Sequence, residues 1–145
     1  MSYRIVGITG SVRPGNFTTM ALRLALDGVD GAEWIDPAGL HLPFPGTAGD
    51  AAGAKGLRDA VSGATGVILA TPEYHGSFSS VMKLVIENLG FPSVLAGKPV
   101  ALLGVAAGSI GAIKSLEALA SVCTHIGAIV LPGAVSVANV QSVFD

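Results

Sequence analysis

The chain is predicted to fold as an α/β protein, a doubly wound five-stranded parallel sheet with helices on both faces. Three observations predict it. Five short, mostly apolar runs recur along the sequence at lengths suited to strands, several of them apolar enough to be buried on both faces. Longer segments with helical periodicity separate these runs, and Gly- or Pro-rich stretches mark many of the boundaries. Half of the 145 residues are hydrophobic and only 12% are charged. The alternation βαβαβαβαβ then packs most simply as a parallel sheet covered on both sides.

In order along the chain, residues 3–9 are the first strand and residues 10–19 a polar, Gly-rich loop. A helix over 20–27 places Ala21, Leu22, Leu24, Ala25 and Leu26 on or near its buried face. Residues 32–35 are a short second strand. Residues 36–50 contain three Pro and three Gly and read as a long loop. Residues 51–62 form a helix, although Gly53 and Gly56 each weaken it by about 1 kcal/mol relative to Ala. The third strand, 66–70, leads into the loop 71–77. The helix over 79–89 follows, with Gly90 and Pro92 as its stop signals. The fourth strand is 98–105, the next loop 106–111, the longest helix 110–126 and the fifth strand 128–131. There is no internal repeat, linker or low-complexity tail, and residues 1–145 are read as one domain.

No apolar run reaches the roughly 20 residues of a membrane span, and residues 1–20 carry no signal-peptide pattern. The net charge of −2, with no basic run, argues against nucleic acid as a partner. The one cysteine, Cys123, cannot form an internal disulfide and sits mid-helix beside apolar residues, which points to core packing in a reducing cytoplasm. His41 and His125 show no metal-ligand spacing with Asp or Glu, so no metal site is expected. A mean hydropathy of +0.65 favours an oligomer that buries further apolar surface.

Two loops carry the chemistry. The first, Gly10-Ser11-Val12-Arg13-Pro14-Gly15-Asn16-Phe17-Thr18-Thr19, joins a strand to a helix, where unpaired amides and the helix dipole stabilise an anion. Ser11, Asn16, Thr18 and Thr19 add short donors and Arg13 a cation, more than capping needs. A nucleotide P-loop would require Lys-Ser/Thr after the second Gly, and a dinucleotide fingerprint Gly-x-Gly-x-x-Gly. Neither is present, which suits a mononucleotide phosphate better than a pyrophosphate. The second loop is Thr71-Pro72-Glu73-Tyr74-His75-Gly76-Ser77. Pro72 stiffens it, Tyr74 is flat, Gly76 allows close approach, and backbone amides after Pro72 are available to the polar edge of a planar ring. The alternative is a plain strand-to-helix turn with Tyr74 in the core. In the flavodoxin-like strand order 2-1-3-4-5 these loops flank the point where the chain reverses direction, the usual ligand crevice of open α/β sheets. The third loop, Ala106-Ala107-Gly108-Ser109-Ile110-Gly111, lets either a ligand or a helix come close.

These residues resemble the NADPH-dependent FMN reductase family of flavodoxin-like proteins, which includes FMN, quinone, chromate and azo-dye reductases. The resemblance covers nearly the whole chain. It rests on Gly10-Ser11-x-Arg13-x-x-Asn16-x-Thr18, on the 71–77 motif with its helix, and on Gly97-Lys98-Pro99-Val100 leading to Gly108. It implies that Ser11, Arg13, Asn16, Phe17, Thr18 and Thr19 hold the FMN phosphate. It further implies that Pro72, Glu73, Tyr74, His75 and Gly76 line the isoalloxazine, with Gly108 approaching it from the third loop. The chain departs from the family pattern at His75, where Asn is usual, at Asn16, where Ser is frequent, and at Ala107, where a hydroxyl residue is common.

The activity so implied is hydride transfer from NADPH or NADH to flavin and on to a flavin, quinone or similar small-molecule acceptor. The chemistry sits on the flavin, so no side chain is assigned as acid, base or nucleophile. A homodimer or homotetramer in the cytoplasm is expected. The alternatives are a flavodoxin-type electron carrier and a non-catalytic binding or assembly protein of the same fold. The family usually continues beyond the position of Asp145 into one more helix, so one sheet face near strand five is expected to be bare unless a partner or further residues cover it.

Overall fold

In the computed structural model, residues 2–48 and 51–144 are described. The end of the predicted 36–50 loop and the position of Asp145 lie outside them. The elements run β1 (Ile5–Thr9), α1 (Phe17–Leu26), β2 (Ala32–Ile35), a 3-10 turn (Pro37–Gly39), α2 (Ala51–Ser62), β3 (Gly66–Pro72) and α3 (Ser80–Glu87). Then follow β4 (Pro99–Val105), α4 (Ile113–His125), β5 (Ile129–Val130), β6 (Val135–Val137) and α5 (Val140–Val143). The parallel sheet has the expected order β2-β1-β3-β4-β5.

The predicted count of five strands is corrected to six. β5 pairs with Pro99 and Val100 at the start of β4, and β6 pairs with Leu103 to Val105 at its end. The other edge of β4 is taken by β3, so β5 and β6 succeed one another along a single edge. The break between them has a local cause. Pro132 has no N–H for the ladder, and Gly133 turns the chain with a φ of 81°.

Alternation along the strands sends side chains to two cores. Val6, Ile8, Val67, Leu69, Val100 and Leu102 pack under α2, α3 and α4. Ala70, Leu103 and Val105 pack against Ala21, Leu22 and Leu26 of α1, with Val140 of α5. α1 lies so close to β1 that a Cβ on Gly7 would come within 2.8 Å of Leu22 and Leu26 methyl carbons. Beyond α1 this face is thinly covered. Ile129, Leu131 and Val135 are 56%, 44% and 55% exposed, which matches the bare face expected near the fifth strand. Among the described residues, no helix is long and apolar enough to cross a membrane.

Candidate functional site

The first loop is held together by one side chain. Asn16 caps α1: its Oδ1 accepts from the Thr19 amide at 2.7 Å. Its Nδ2 donates to the carbonyls of Arg13 at 2.7 Å and Ser11 at 3.4 Å. With this cap the helix begins at Phe17, earlier than the predicted start at residue 20. Phe17, Thr18 and Thr19 therefore form its first turn, where amides lack intrahelical acceptors. Ser11 is 3% exposed, and its Oγ is the buried side-chain polar atom left without a hydrogen-bond partner among the described residues. A buried hydroxyl without a partner is unfavourable by about 1–3 kcal/mol, so an acceptor supplied by a ligand fits this position.

The second loop begins later than predicted, because β3 runs on through Pro72, pairing Thr71 with Gly104 and Pro72 with Val105. The Glu73 amide donates to the Val105 carbonyl at 2.9 Å, and the Tyr74 and Ser77 backbones exchange two bonds at 2.9 and 3.1 Å. Those bonds close a two-residue reversal with His75 at φ 51° and Gly76 at φ 73°. Positive φ at both central positions demands residues that tolerate it, and His shares that tolerance with Asn. This explains how His75 stands where the family usually has Asn. It also narrows the expected backbone donors, since the amides of Glu73 and Tyr74 are already engaged. Tyr74 is 39% exposed rather than in the core.

A buried polar link joins the two loops, and the sequence reading missed it. Ser79, the N-cap of α3, accepts from the Met82 amide at 3.0 Å and donates to the Gly10 carbonyl at 2.6 Å. Its own amide donates to Thr71 Oγ1 at 3.1 Å. Gly10 in turn donates to the Ala70 carbonyl at 2.7 Å. A Cβ on Gly10 would meet that carbonyl at 2.9 Å and Ser79 Oγ at 3.0 Å. Glycine is required here by close approach alone. A Ser at the start of a helix is the signal that marks a possible cap; its reach across 69 residues has no local signal.

Together the loops enclose a cavity of about 280 Å3, near the lower end for small-molecule sites and open on one side. Of the predicted residues, Ser11, Arg13, Asn16, Phe17, Thr18, Pro72, Glu73 and Tyr74 line it. Thr19 does not: its hydroxyl lies 2.9 Å from that of Thr9. His75 and Gly76 stand outside it on the exposed reversal, and Gly108 is also outside, exposed and with nothing near its Cβ position. The third loop contributes Ala106 and Ala107 instead. Val140 and Gln141 complete the wall, brought there by bonds from Ala106 to Val137, from Val140 to Ala106 and from Asn139 to Gly108. Nothing in the local pattern of residues 138–141 marks them as site residues.

Arg13 has no ion pair among the described residues and is available to an anion. No cluster of metal-ligating side chains occurs among them. Cys123 is fully buried away from the cavity, and burial pushes its thiol up to about 11, so it is an inert core residue as expected.

Fold and cavity define a flavodoxin-like class, in which the loops after β1 and β3 line one cavity at the β1–β3 switch point. The model of the NADPH-dependent FMN reductases matches residues 3–142, and the chain belongs to that family. An NADPH azoreductase of Bacillus sp. (strain OY1-2) is 34% identical over 80% of this chain and 66% of that protein. An NAD(P)H-dependent FMN reductase of Pseudomonas aeruginosa is 30% identical over 77% of this chain and 64% of that protein. The chain thus spans just under two thirds of the length of these curated relatives. A flavoenzyme NAD(P)H:(acceptor) oxidoreductase of Paracoccus denitrificans has the same fold, with a TM-score of 0.77 at 23% identity over 92% of this chain and 78% of that one.

Proposed function

We propose that the cavity binds FMN and that the protein is an NAD(P)H-dependent oxidoreductase acting on small-molecule acceptors. The observation that carries this reading is the buried, unpartnered Ser11 hydroxyl in the cavity wall beside the first turn of α1. In this reading Ser11, Thr18 and the α1 amides bind the FMN phosphate, and Arg13 neutralises it. Asn16 acts mainly by shaping the loop, and Phe17 by packing. Pro72, Glu73, Tyr74 and Ala107 form the ledge for the ring. Bound FMN would supply the chemistry, taking up a hydride from NADPH or NADH and passing two electrons to the acceptor. The open side of the cavity leaves room for both partners in turn, which supports a flavin, quinone or azo compound as acceptor; relatives are named for an azoreductase, an FMN reductase and a quinone reductase.

The reading extends to organisation. Two apolar cores sharing one sheet support a single FMN-binding domain. The thinly covered face at Ile129, Leu131 and Val135, with Phe91 at 99% exposure, supports a homodimer or homotetramer, which sedimentation at micromolar concentration tests. The lone, buried Cys123 supports a cytoplasmic setting.

The deciding experiment mixes the FMN-saturated protein with NADPH and, separately, with NADH in a stopped-flow instrument. Rapid bleaching of flavin absorbance, followed by recovery on adding a quinone, is expected. Flavin that binds but is not bleached overturns the reductase assignment and leaves an electron carrier; FMN fluorescence left unquenched overturns the cofactor assignment itself.

A further inference from the structure

A second, larger groove of about 780 Å3 lies on the outer side of the anion loop. One wall is the outward stripe of α1, with Met20, Arg23 and Asp27; the other is the β2 edge, with Trp34 and Asp36. Residues 13–16 line both this groove and the FMN cavity, so the two share a rim.

The Arg23 guanidinium sits 5.6 Å from the centre of the Trp34 ring. No carboxylate pairs with it among the described residues, although Asp27 lies one helical turn away. Trp34 is 39% exposed and Met20 is 40% exposed. A guanidinium held over an accessible indole leaves a flat, polarisable surface for a further ring. Arg13, on the shared rim, is a second unpaired cation. Of the two acids, Asp36 is engaged with the Ala38 amide at 2.9 Å, which leaves Asp27 as a free acceptor. A stacking surface, two cations and one carboxylate match a purine, its phosphates and the hydroxyls of its ribose.

We propose that this groove binds the adenosine-phosphate portion of a nucleotide whose other end reaches the flavin cavity across the shared rim. The proposal rests on the assignment of that cavity to FMN. The purine stacks on the Arg23–Trp34 pair, the phosphates pass Arg13, and Asp27 accepts from the ribose. Two nucleotides carry this chemistry: the pyridine dinucleotide that reduces the flavin, and FAD in place of FMN.

Trp34 is the single tryptophan of the chain, so protein emission reports this groove directly. ADP-ribose is titrated into FMN-saturated protein and FAD into flavin-free protein, with flavin fluorescence read in the same samples. A saturable change in Trp34 emission is expected, weakened about tenfold by Arg23→Ala, the size of one lost stacking contact. Ribose 5-phosphate, which lacks the purine, leaves the emission unchanged. A response to ADP-ribose assigns the groove to the pyridine dinucleotide, and a response to FAD alone assigns it to the flavin's own adenylate; both support the proposal. An equal response to ribose 5-phosphate, or silence of Trp34 towards both nucleotides while FMN binds, overturns it. A response to ADP-ribose without any FMN binding supports the nucleotide groove and overturns the flavin reading instead.

Discussion

The two loops that face each other across the cavity are held by opposite means. The anion loop is organised from within: Asn16 bonds to the backbones of Ser11, Arg13 and Thr19, all within five positions of itself. The ring loop has a local reversal at its tip, but its base is fixed by partners far along the chain. Glu73 bonds to Val105, and Ser79 links Thr71 to Gly10. The contrast teaches that the loop proposed for the phosphate is shaped by a short motif, whereas the loop proposed for the ring depends on the sheet around it.

Gly10→Ala attacks the point where the loops meet. Its Cβ would be forced against the Ala70 carbonyl and Ser79 Oγ, so a destabilisation of about 2–3 kcal/mol is expected in urea unfolding. Loss of FMN binding should accompany it, since both walls shift. Ser79→Ala removes the α3 cap and leaves the Gly10 carbonyl without that donor. About 1–2 kcal/mol of stability should be lost, read as a lower denaturant midpoint.

Ser11→Ala separates binding from stability. The hydroxyl has no partner among the described residues, so the flavin-free protein should be unchanged or slightly more stable. FMN affinity, measured by fluorescence quenching, should nevertheless fall about tenfold, the equivalent of one hydrogen bond to a charged group. A matched loss of stability without a loss of affinity would place Ser11 in the architecture rather than the site. The smallest effect is expected at the reversal. His75→Asn should leave the thermal midpoint nearly unchanged, while His75→Val, forced to φ 51°, should cost about 1 kcal/mol.

The sequence was most legible where the signal was local. The second strand and α2 fall at the predicted residues, and the order is the flavodoxin-like one expected by analogy with that class. The start of α1 was misplaced because Asn16 as a cap pulls three loop residues into the helix. The third strand was cut short because Thr71-Pro72 reads as a turn signal, yet the last rung of a ladder tolerates a proline when Val105 pairs with the Glu73 amide beyond it. The fifth strand falls within the predicted 128–131, whereas the sixth, Val135–Val137, was missed because it is recognisable only from its partner Leu103 to Val105.

The sequence by itself determined the α/β class, the alternation of strands and helices and the positions of the two polar loops, because turn chemistry and periodicity act over a few residues. The tertiary structure alone decided which of those residues meet in the cavity. It turned Thr19 away to Thr9 and set the His75 side chain outside. It also brought in Ala106, Ala107, Val140 and Gln141 and joined Gly10 to Ser79. These are contacts between segments distant along the chain, fixed by how the strands register and how closely the helices pack, and no local pattern encodes them.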